Sequence, residues 1–126
     1  MIVGINGGAV WALNCVSKTV KAYSFQEKII PQIARGLTTE FFTKEEWPKI
    51  SKDRRSTLTN ISDFEKCGAS FISHHHEDLE SAPVRALKAK GIPILCWTIE
   101  TKAQQHAARQ LADNFTFEGF QPATSS

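Results

Sequence analysis

The chain has no close cysteine pairs, no strong excess of one charge and no long apolar run, and each absence removes a class of function. Cys15, Cys67 and Cys96 lie far apart in the sequence, without the short spacings of a zinc site or the even count of a disulfide scaffold, so buried free thiols are expected. Fifteen Lys and Arg stand against 13 Asp and Glu, a formal charge of +2. That balance gives no broad cationic field for nucleic acid or an anionic membrane, and basic and aromatic residues are not interleaved as single-strand binders require. The first 25 residues are apolar but have no basic leader segment. Asn6, Asn14 and Lys18 interrupt them before the ~18 apolar residues of a membrane span, so no span and a cytoplasmic location are expected. Gly7-Gly8 lacks the remaining spacing of a dinucleotide or Walker loop.

What is present is punctuation for one α/β domain, the default at 126 residues. Strands are expected over 2–5 and 9–16, with a turn at Asn6-Gly7-Gly8, and a short helix over 26–34 interrupted by Pro31. Thr43 and Glu46 have capping-box spacing, but Pro48 restricts the continuation; Phe41, Phe42 and Trp47 are expected to cover an edge of the core. A helix over 57–66 stops at Cys67-Gly68, and a strand over 69–73 comes next. Ser81 and Pro83 open a helix that ends at Gly91. A buried strand over 92–99 leads into a helix over 101–111. Its inner side is read as Ala103, Ala107, Ala108 and Leu111, and its outer side as Gln104, Gln105, Arg109 and Gln110. A last strand covers 114–117. Strand and helix alternating in units of about 25 residues imply a parallel sheet with flanking helices, either repeated βα units or an open three-layer sandwich.

The segment "KAKGIPILCWTIETKAQQHAARQLADNFTFEGFQP" resembles the last two strand units of the glycerophosphodiester phosphodiesterase family. Gly91, Trp97, Thr98, Ile99 and Ala112-Asp113 match the family's tryptophan-threonine strand and the helix and strand after it. Thr116, Phe117, Glu118, Gly119, Phe120 and Pro122 match the final strand of one bacterial group. A weaker resemblance extends upstream through His74–His76, Gly68-Ala69-Ser70, Trp47 and the Pro31–Leu37 passage. The resemblance implies a TIM barrel that hydrolyses glycerophosphodiesters to glycerol 3-phosphate and an alcohol with a divalent cation, Mg or Ca, in lipid metabolism. It covers residues 31–126 as a carboxyl-terminal barrel half and leaves 1–30 as strands and linker of uncertain kinship.

A complete barrel takes roughly 250 residues and eight strands, whereas this chain supplies about four βα units. The family's His-Arg-Gly, its Glu-x-Asp cation pair and its second histidine have no counterpart here; the first histidine is His74. The expectation is therefore a partial TIM barrel, inactive alone and without a cofactor of its own. The alternative is a non-catalytic module that completes a barrel by pairing with another copy or with a complementary half.

Four residues are expected at the substrate mouth: Trp97, Glu118, Glu100 and His74, with His75 as the other candidate at the histidine position. Glu100 stands where the family usually has Asn, which replaces a neutral donor and acceptor by an anion. Consecutive side chains diverge on a strand or a helix, so His74-His75-His76-Glu77-Asp78 is read as a strand-end loop and not a metal site. Cys96, within an apolar strand, is expected to be a poor nucleophile.

Overall fold

The computed structural model describes residues 2–4, 32 and 34–124, the first three as backbone only. Five parallel strands form one sheet in the order in which they occur along the chain: β1 (Ile2–Gly4), β2 (Ala34–Thr39), β3 (Phe71–His75), β4 (Ile94–Ile99) and β5 (Asn114–Phe117). Helix α1 (Lys52–Thr59) and residues 60–68 connect β2 to β3. A 3₁₀ turn, His76–Asp78, and α2 (Ala82–Ala89) connect β3 to β4. Helix α3 (Lys102–Leu111) connects β4 to β5. This is an α/β fold with a parallel sheet; the sheet is open, and the expected strand over 9–16 and most of the helix over 26–34 lie outside the described residues.

Local chemistry sets the boundaries. Ser51 caps α1 by accepting from the Arg54 N–H at 3.2 Å, so the helix starts earlier than its apolar periodicity suggests. It also ends earlier, at Asn60. Residues 61–67 are turns instead of the expected helical continuation, and Ile61 sits in the left-handed region at φ 55, which a β-branched residue rarely adopts. Thr101 and Gln104 form a reciprocal capping box at the start of α3. Gly91 and Gly119 end elements at positive φ, 79 and 76. β3 and β4 each start two residues after the expected boundary.

Register divides the sheet into two faces. Leu37, Ile72 and Ile94 are partners across β2, β3 and β4, as are Thr39, His74, Cys96 and Phe115 one pleat further on. All of these except Phe115 are buried, and they pack under Ile61, Phe64 and Cys67 of the 60–68 connection, Leu79, Val84 and Leu87 of the α2 unit, and Ala108 of α3. Each such aliphatic side chain contributes about 1.5–3 kcal/mol of hydrophobic stabilisation. The intervening residues, Thr38, Ser73, His75, Leu95 and Trp97, are only half-buried, and none belongs to a buried cluster of the described residues. Deeper on that face the Phe71 ring lies across Gly36, where an added Cβ would meet ring carbons at 2.1 Å, so only glycine admits the ring.

Phe42, Trp47 and Ile50 form a separate cluster against Leu58 of α1, as expected for two of the three aromatics; Phe41 instead is 55% exposed.

Two side chains fix register where the strands begin. Ser70, just before β3, gives both its N–H and its hydroxyl to the Arg35 carbonyl, at 2.8 and 3.3 Å. Asp113, just before β5, donates its N–H to the Ile94 carbonyl at 2.7 Å and accepts the Ile94 N–H on its carboxylate at 2.8 Å.

Candidate functional site

In open parallel sheets and in barrels, ligands bind beyond the carboxyl ends of the strands. A carboxylate comes after each described strand end from β2 onwards: Glu40 after β2, Glu77 and Asp78 after β3, Glu100 after β4, and Glu118 after β5.

His75 and Trp97 are register partners at the ends of β3 and β4, and their rings meet edge to face at 5.0 Å. The Trp97 indole N–H donates to the Ser73 carbonyl at 3.0 Å, which fixes the ring against β3. His75 Nδ1 accepts the Glu77 N–H at 3.4 Å, so the neutral ring carries its proton on Nε2. An N–H donor therefore stands beside an aromatic wall, and the His76 ring stacks on the other side of His75 at 5.0 Å. Glu100 and Glu118 are exposed, and the Glu118 N–H extends the ladder to the Ile99 carbonyl at 3.0 Å. Trp97, Glu100 and Glu118 thus lie at the expected end of the sheet.

His74 points the other way. It lies on the helix-facing side, fully buried, with Nδ1 at 2.7 Å from the Thr39 hydroxyl and Nε2 at 2.9 Å from the Asp78 carboxylate. The carboxylate only accepts, so Nε2 carries a proton and the Thr39 hydroxyl donates to Nδ1 of the neutral ring. Burial lowers the His74 pKa more than Asp78 raises it, and the ring is neutral at pH 7. His74 is a strut between β2 and the turn after β3; the half-buried histidine on the opposite face is His75. The signal that separates them is the period-two alternation, but Phe71 and Ile72 are both apolar and leave the parity of the strand ambiguous.

Glu40, directly after β2, is a strand-end carboxylate that no sequence motif indicates. Burial and the negative charge of Glu46 raise its carboxyl pKa, and the Trp47 indole works in the opposite direction. Cys96 is fully buried within β4 and burial pushes its thiol up to about 11, which removes it as a nucleophile. Cys67 is likewise buried, with its thiol also raised to about 11. His106 is exposed on α3.

Among the described residues no three His, Cys, Asp or Glu side chains converge as a metal ion requires, and no helix is long and apolar enough to cross a membrane. No protein-family model and no curated protein matches the chain.

Proposed function

We propose that this chain is one half of a glycerophosphodiester phosphodiesterase-like barrel, which keeps part of a phosphodiester-binding mouth but not a complete catalytic set. The observation that carries the reading is a sheet whose strands run in sequential order, with the helical residues that pack on it, among the described residues, gathered on one face. A doubly wound sheet reverses its strand order at a switch point and is covered by helices on both faces. A barrel segment winds in one direction, with helices outside and a second face turned to the barrel interior. The polar, half-buried row Thr38, Ser73, His75 and Trp97 fits that interior at its mouth.

In this reading the His75 Nε2–H donates to a phosphoryl oxygen and Trp97 walls the glycerol or alcohol portion. Glu118 lies at the rim, where a sugar-like hydroxyl would meet an acceptor. His75 and Glu118 do not replace the histidine couple and cation ligands that displacement at phosphorus uses. The chain alone binds and does not turn over. Assay of the purified chain with glycerophosphocholine and Mg or Ca ions is expected to give no hydrolysis above background, while titration with glycerol 3-phosphate gives binding that His75→Ala weakens about tenfold, the worth of one hydrogen bond to a charged group. Turnover lost in Glu118→Ala would overturn the inactive reading; absence of binding would overturn the mouth.

The second reading, completion of the barrel by another copy or a complementary chain, is supported by β5. Among the described residues no strand pairs with its outer edge, and Phe117 on it is 50% exposed. Unpaired strand edges with apolar side chains invite pairing. Light scattering on the purified chain distinguishes the two: a stable, cooperatively folding monomer removes any need for a second half.

A further inference from the structure

The segment after β5 returns across α3 and is held there by side chains whose composition suggested solvent. Gln105 is 3% exposed, and its carboxamide reads both main-chain groups of one residue: Nε2 donates to the Ala123 carbonyl at 2.8 Å, and Oε1 accepts the Ala123 N–H at 3.1 Å. Arg109, one turn further along α3, donates to the same carbonyl at 2.5 Å and places its guanidinium 5.9 Å from the centre of the Phe115 ring. Between β5 and this clamp the chain turns at Gly119 with φ 76, and Phe120 packs against the main core and edge-on to Phe117 at 6.0 Å. The turn that carries Glu118 is thus fixed on one side by β5 and on the other by Phe120 and the Ala123 clamp.

We propose that residues 121–124 are a strap, fastened by Gln105, that holds the Glu118–Phe120 turn at the edge of the mouth and opens that edge when released. The Gln105 carboxamide forms two neutral hydrogen bonds to Ala123 and the exposed Arg109 adds one charge-assisted bond, so the fastening is three hydrogen bonds to a single residue. Ala123 itself is exposed, so water can take over its bonds when it leaves. A fastening of this strength is suited to opening locally while the sheet stays intact. Its effect on ligand access rests on the reading of the mouth given above; the strap itself does not.

Amide hydrogen exchange of the full chain, read by mass spectrometry, tests the strap. In Gln105→Leu, amides over 117–124 are expected to exchange at least tenfold faster, with β3 and β4 unchanged. A chain ending at Gln121 leaves α3 intact and is expected to release residues 117–120 in the same way. Unchanged exchange at 117–120 in both variants, or an increase that spreads through β3 and β4, would overturn the proposal. Titration with glycerol 3-phosphate separates the two ideas: local release in a chain that binds no ligand in any form leaves the strap standing and removes the mouth.

Discussion

The two faces of the sheet differ by a single step along each strand. On β3, Ile72 and His74 are fully buried under the helical layer, while Ser73 and His75 are half-buried on the other side. On β4, Ile94 and Cys96 stand against Leu95 and Trp97 in the same way. The covered face spends its polar groups on support: His74 satisfies Thr39 and Asp78 and presents nothing outward. On the other face His75 and Trp97 are half-buried, with their rings edge to face. Two adjacent histidines of identical chemistry therefore have unlike surroundings, and the pleat assigns them.

The largest effect that would break this comparison is a pair of truncations on β4. Ile94→Ala is expected to cost about 3–4 kcal/mol, because the side chain is fully enclosed, and Leu95→Ala about 1 kcal/mol, because its neighbours enclose it only in part. Urea denaturation measures both, and equal losses would mean that the second face is as well covered as the first. A smaller and pH-dependent effect sharpens the histidine contrast. The folded pKa of His74 lies below its ordinary 6.5, so the unfolded chain takes up a proton first as pH falls. Stability is then lost below pH 6.5 and towards the folded value. Comparison of denaturation midpoints at pH 7.0 and 5.5 is expected to show a drop in the parent chain that His74→Gln flattens; His75→Gln leaving the drop unchanged completes the contrast. The smallest effect concerns Glu40, after β2. Burial raises the Glu40 pKa, so its charged form is disfavoured in the folded state, and Glu40→Gln is expected to raise the melting temperature slightly at pH 7. A fall would mean that Glu40 holds a favourable charged contact.

Much of the second half is legible in its residues because its signals are local. Thr101 as the first cap of α3, Gly91 as a stop and the apolar run into Ile99 all act within a few positions, and β5 has the bounds its sequence suggests, Asn114–Phe117. β2 does not read as a strand. Arg35 and Gly36 lower its strand character, and its burial comes from β1, β3 and the Phe71 ring, which are remote in sequence. The faces of α3 differ from their periodicity for a similar reason. Ala103 and Ala107 are exposed, whereas Gln105 and Ala108 are buried, because the segment after β5 covers a polar side chain that it can satisfy. Trp97, Glu100 and Glu118 stand at the strand ends as expected because a residue's place along a parallel strand is set by the strand's boundaries. The choice between His74 and His75 depends on parity, which two consecutive apolar residues conceal.

Ser70 and Asp113 pin their strands at the amino ends, each by bonding the backbone of the neighbouring strand near the start of its ladder. Alignment of β2 with β3 and of β4 with β5 is therefore already supported at the amino ends, far from the carboxyl ends. Loss of either anchor would free a strand to slide past its neighbour and turn its side chains to the wrong face. For an engineer, Ser70 and Asp113 are two positions to leave alone.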